Sequence, residues 1–168
     1  MNELFQSIEK NDIQSLRELL AQKINVHQRN DKGDTPLMLA AKNGNTEIFR
    51  CLLENHAEIN AVNNTGASAL IFATFYKHSE IIRMLLENNA SINIFGALDK
   101  GMALMTPLGI AVLDSQFNKN YEIVQMLLQY GADVNFPDAE GRIPLHLAGR
   151  NSFLIELLLE KSDINTVN

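Results

Sequence analysis

Residues 30–62 read NDKGDTPLMLAAKNGNTEIFRCLLENHAEINAV, and the rest of the chain is a set of variations on this stretch. It holds a turn around Gly33, a helix start at Thr35-Pro36 and an apolar run through Leu37, Leu39, Ala40 and Ala41. A break at Gly44-Asn45 follows, then a second periodic run through Ile48, Phe49, Leu52 and Leu53. A shift of 33 residues brings the parts back: Gly33 falls on Gly66, Thr35 on Ser68, Leu37 on Leu70, Ala40 on Ala73 and Leu52-Leu53 on Leu85-Leu86. Self-similarity at this period marks a solenoid whose units bury their apolar faces only against one another.

Thr35-Pro36-Leu37 with Ala40-Ala41 behind it, Leu52-Leu53, and the ending Gly131-Ala132-Asp133-Val134-Asn135 resemble the ankyrin repeat. The resemblance covers nearly the whole chain. It implies an all-α solenoid of helix-turn-helix units joined by short β-hairpin loops. It also implies a concave face, formed by hairpin and inner-helix positions that are free to vary, which meets a partner.

The period divides a single domain into a capping unit at residues 1–29, repeats at 30–62 and 63–95, a repeat with two insertions at 96–137, and a closing unit at 138–168. The first unit begins at its helix, with Asn2 placed to cap it, and carries polar Glu3, Gln6 and Ser7, as suits a face without a neighbour. In the third unit Phe75-Tyr76 replaces Lys42-Asn43. The fourth unit departs twice. Leu70 to Leu108 spans 38 residues rather than 33, placing five extra within 94–105, IFGALDKGMALM. Ala111 to Leu127 spans 16 where Ala40 to Leu52 spans 12, placing four more within 114–120, DSQFNKN, which reads as a lengthened connection. The fifth unit loses three residues between its helices and ends in a frayed tail from Thr166 to Asn168. His56 and Asn89 stand where Gly131 ends the fourth outer helix, and are expected to take a left-handed backbone there.

A net charge of −6 is spread through every repeat, so no basic stripe exists to neutralise phosphates; nucleic acid and anionic membranes are not expected partners. No apolar run approaches the roughly 18 residues of a membrane span, and the opening lacks a secretory pattern. A single cysteine, Cys51, fits a reducing compartment, so the expected location is the cytoplasm. His27, His56, His78 and His146 recur at repeat-related places rather than at ligand spacing, and read as scaffold; neither a metal nor any other cofactor is expected. In the resemblance, His146 matches a histidine that makes a structural hydrogen bond. Cys51 has no base at a suggestive spacing, and no nucleophile motif or phosphate loop occurs, so no enzyme is expected.

By the resemblance, the concave face runs through Asp31, Lys32, Asp34, Lys42 and Asn43, then Asn64, Thr65, Ala67, Phe75 and Tyr76. It continues through Met105, Leu113 and Asp114 to Ala139, Glu140, Arg142, Arg150 and Asn151. Phe75 and Tyr76 are read as lying beside the first insertion, with its Phe95, Leu98, Met102, Leu104 and Met105. Aromatic and methionine side chains are enriched at binding surfaces. These residues are the expected protein-binding site of a stand-alone monomeric adaptor, inhibitor or neutralising partner, and the acidic balance favours a target with a neutral or basic patch. The competing expectations are three. The insertion packs back onto the stack, it mediates homo-oligomers, or the two insertions build one pocket for a small molecule or substrate.

Overall fold

The computed structural model describes the backbone of residues 3–165 and the side chains of residues 3–162, so the Asn2 cap and the tail from Thr166 lie outside the described residues. Among the described residues ten helices follow one another in five pairs: α1 (Glu3–Glu9) and α2 (Ile13–Ala21), α3 (Pro36–Asn43) and α4 (Thr46–Glu54), α5 (Ala69–Phe75) and α6 (Ser79–Glu87), α7 (Pro107–Asn118) and α8 (Glu122–Gln129), α9 (Pro144–Leu147) and α10 (Ser152–Asn165). The odd-numbered helices pack in succession as an inner row, and α2, α4, α6 and α8 pack as an outer row. The fold is an all-α repeat solenoid.

Three of the inner helices, α3, α5 and α7, start the same way for the same reason. The hydroxyls of Thr35, Ser68 and Thr106 accept from the backbone N–H groups of Met38, Ile71 and Gly109 at 3.3, 3.3 and 2.9 Å. Pro36, Pro107 and Pro144 sit in the first turn, where a missing N–H costs nothing. Ile143 has no hydroxyl, and there the imidazole of His146 accepts the Ile143 N–H through Nδ1 at 3.3 Å. His56 and Asn89 end their outer helices with φ of 63° and 59°, as Gly131 does with 86°.

The core is continuous from Leu4 to Leu158. Small residues in the inner row, Ala40-Ala41 and Ala73-Thr74, allow close approach, and Ile48, Phe49 and Leu52 followed by Ile81, Ile82 and Leu85 fill the space under the outer row. No repeat buries this surface alone, so stability is a sum over repeats and their interfaces.

The turns before the inner helices stack through their backbones: Asn64 N–H donates to Lys32 O and Ala97 N–H to Thr65 O, both at 3.1 Å, and Ala139 N–H donates to Leu104 O at 3.3 Å. Three are tied by a side-chain carbonyl or carboxyl oxygen. Asn30 Oδ1 accepts from the Lys32 and Asp34 N–H groups, Asn63 Oδ1 from those of Thr65 and Ala67, and Asp138 Oδ1 from those of Glu140 and Arg142. The fourth repeat has Gly96 in that column. With no side chain to close a tight turn, its chain runs out into a longer loop, pinned by paired backbone bonds between Gly96 and Met105 at 3.1 and 3.0 Å. That bridge is the β pairing found among the described residues; the other hairpin loops are turns without strands.

The second insertion is not a connection. It lengthens α7 to 12 residues against 8 in α3 and 7 in α5. Four residues are close to one helical turn, so the added length continues the helix in register and leaves the core positions in place.

Candidate interaction surface

The concave positions divide into two patches, one at the N-terminal and one at the C-terminal ends of the inner helices. Gly66 abuts Phe95 and Gly96, so the 96–105 loop lies at the N-terminal side of α5, whereas Phe75 and Tyr76 end that helix about 10 Å away. The expected adjacency of Phe75-Tyr76 and the first insertion is therefore not met.

At the hairpin end, Asp31, Lys32, Asn64 and Glu140 are exposed. Lys32 Nζ pairs with Asp99 Oδ2 at 3.1 Å, spanning from the second repeat to the fourth over a cleft of about 290 Å³. Thr65 Oγ1 donates to Ala97 O at 2.5 Å, and Arg142 is held by Asp138 at 2.8 Å and Glu140 at 2.9 Å, so both are engaged within the stack. Asp34 does not belong to the surface: it is 4 % exposed, and its carboxyl accepts from Asn63 Nδ2 at 2.6 Å and Asn30 Nδ2 at 3.2 Å. Ala67 is likewise buried. The first insertion splits by side chain. Leu98 and Met105 pack against the core and Leu104 is half-buried, while Phe95 and Met102 remain exposed.

At the far end, Lys42 and Asn43 are exposed, with Asn43 Nδ2 donating to Ile8 O at 3.3 Å. Phe75 and Tyr76 are 41 % and 40 % exposed and meet edge to face with ring centroids 5.3 Å apart. Tyr76 also stacks on His78 at 6.4 Å, and His78 Nε2 lies 3.1 Å from Lys42 O. Tyr76 is thus braced between the rings of Phe75 and His78. Leu113, one repeat on from Phe75, is exposed, and Asp114 pairs with Lys77 at 2.8 Å.

Three residues that the sequence reading passed over lie further along. Phe117, 76 % exposed on the added turn of α7, lines a cleft of about 740 Å³ with Tyr121, Arg150 and Phe153. The signal for them was the gain of four residues in one repeat followed by the loss of three in the next, which makes the neighbouring inner helices α7 and α9 unequal in length.

The two insertions do not build a common pocket. They sit at opposite ends of α7, about 18 Å apart along its axis, each bordering its own cleft. Burial pushes the Cys51 thiol upward, away from the thiolate that nucleophilic chemistry needs, and nearby Arg17 only partly opposes this. Among the described residues no group of three or more His, Cys, Asp or Glu side chains is placed to hold a metal, and no helix is long and apolar enough to cross a membrane.

No curated protein matches the chain closely enough to count as a relative. The family model for ankyrin repeats matches in three copies over residues 4–95 and 97–168. Such repeats generally mediate protein–protein interaction, and the family is typically non-enzymatic. With capped inner helices stacked in register and a family match over nearly all of its length, the chain belongs to the ankyrin-repeat family.

Proposed function

We propose that this chain is a protein-binding adaptor or inhibitor that engages its target through the inner-row surface centred on Phe75 and Tyr76. The observation that carries the reading is the exposure of this braced pair in a column where the preceding repeat has Lys42 and Asn43. Aromatic side chains bring large contact area with few rotatable bonds, and fixing them before binding lowers the entropic cost of the complex. Leu113 extends the apolar strip by one repeat, and Lys42, Asn43 and the Lys77–Asp114 pair supply a polar rim. Phe95 and Met102 are a second, smaller apolar contact at the hairpin end. The net charge of −6 favours a partner with a neutral or basic patch facing that rim. The proposal includes a cytoplasmic location and a monomeric state, with the single Cys51 fitting a reducing compartment.

The test is affinity capture from the native host lysate with the wild type and with a Phe75→Ser/Tyr76→Ser variant of unchanged thermal unfolding. A protein retained by the first and lost by the second supports the surface. The same protein retained by both overturns it.

A further inference from the structure

The large cleft between α7 and α10 is a product of helix lengths. Pro107 and Pro144 start α7 and α9 in the same register, but α7 has 12 residues and α9 has 4, so up to about 12 Å of the flank of α7 extends beyond its neighbour. A regular repeat would cover that flank. Here Gly149 turns the chain early with φ of 59°, and the side chain of Gln116 lies directly over it. The result is a trough of about 740 Å³ whose walls carry three aromatic rings: Phe117 on the added turn, Tyr121 at the start of α8, and Phe153 on α10. Tyr121 and Phe153 pack with centroids 4.5 Å apart, and Asn151 Nδ2 donates to the Tyr121 hydroxyl at 3.0 Å, so this wall is held in place.

Its charge runs against that of the molecule. The chain carries −6 overall, yet Lys119 and Arg150 line the trough and no Asp or Glu does. Among the described residues neither cation has an ion-pair partner. Two unpaired cations beside a preformed aromatic wall disfavour a basic ligand and favour one that brings negative charge together with an apolar side chain.

We infer that this trough, whose lining shares no residue with the Phe75–Tyr76–Leu113 strip, is a second docking site that takes an acidic peptide segment of a partner protein with an aromatic or large aliphatic side chain among its carboxylates. The apolar side chain lies against Phe117 and Phe153, and the carboxylates face Lys119 and Arg150.

The experiment is selection of a random twelve-residue peptide display library on the intact chain, followed by titration of synthesised winners. The key variant is Lys119→Asn/Arg150→Gln; asparagine is chosen because residue 119 has φ of 53°, which it tolerates. Phe117→Ser tests the apolar wall, and Phe75→Ser/Tyr76→Ser is the control for the other surface. Thermal unfolding checks that each variant is folded. The expected winners are acidic, contain an aromatic or large aliphatic residue, bind about tenfold more weakly to Lys119→Asn/Arg150→Gln and to Phe117→Ser, and weaken with added salt. Their affinity for Phe75→Ser/Tyr76→Ser is unchanged, so failure here and failure of the proposed function are separable. Basic or neutral winners, binding indifferent to the trough variants, or no enrichment overturns the inference.

Discussion

Asn63 Nδ2 donates to Asp34 Oδ1 across 2.6 Å, with both residues almost entirely shut off from solvent. The bond joins the turn of the second repeat to that of the third. One period on, the same two columns hold Ala67 and Gly96, and a Cβ on Gly96 would stand 2.6 Å from the Ala67 nitrogen. The two interfaces thus use opposite solutions, a buried polar pair in one and close backbone packing in the other. A half-replaced pair fits neither.

Asp34→Ala follows directly. It leaves the Asn63 amide buried without its acceptor while Asn63 Oδ1 keeps its bonds to the Thr65 and Ala67 N–H groups. The expected loss is about 1–3 kcal/mol, read from urea unfolding as a lower midpoint with little change in slope. A surface carboxylate in this column would cost almost nothing on removal, so a neutral outcome contradicts the burial.

Thr74 offers the reverse case. Its hydroxyl is buried in the inner row with no hydrogen-bond partner among the described residues. The corresponding position in the next repeat is Val112, fully buried, so the column accepts a branched apolar side chain. Thr74→Val removes an unsatisfied polar atom at nearly constant shape and is expected to raise stability by about 1 kcal/mol. Equal or lower stability in urea unfolding would mean that the hydroxyl has a bond.

How much of this was legible beforehand depends on which residues set it. The register, the hydroxyl caps at Thr35, Ser68 and Thr106, and the left-handed ends at His56 and Asn89 are local, and each followed from a residue type at a fixed offset. Asp34 was misplaced because a column reading sees that its repeat equivalents vary, not that Asn63 reaches over from the next unit. The four residues within 114–120 were read as a connection because Asp, Ser, Asn and Lys dominate them. Their number, near one helical turn, and the spacing of Leu113 and Phe117 at i and i+4 were the better guides. The α7–α10 trough depends on two helix lengths in different repeats, which no single repeat reveals.

Gly44 and Gly131 separate a backbone effect from a packing one. Both have positive φ, 74° and 86°, but a Cβ on Gly44 would lie 2.4 Å from the His78 ring while one on Gly131 would meet nothing within 4 Å. Gly131→Ala is expected to cost roughly 1–2 kcal/mol from backbone strain alone. Gly44→Ala should cost more, by about 1–3 kcal/mol, because His78 is also stacked on Tyr76 and cannot simply swing away. Adding His78→Ala to Gly44→Ala should recover part of the difference. Equal costs for the two glycines in thermal unfolding would show that the ring yields freely.

Acid sensitivity is expected to run through Asp138. Burial by itself raises its pKa, but the N–H of Arg142 at 2.9 Å, the Arg142 guanidinium at 2.8 Å and the N–H of Glu140 at 2.9 Å outweigh it, so the carboxyl is held below the ordinary range. A folded-state pKa below the unfolded value of about 3.9 means that the unfolded chain binds the proton first. The stabilisation is therefore complete above about pH 5 and is lost as pH falls through the folded pKa. Asp138→Asn isolates the effect, because asparagine already closes the same turn at Asn30 and Asn63 through Oδ1. The variant keeps both backbone bonds and loses the ion pair with Arg142. Its Tm should lie below that of the wild type by a constant amount from pH 7 to 5, and the gap should shrink below about pH 4. A gap that stays constant down to pH 3, or widens there, would mean that Asp138 gains nothing from its charge.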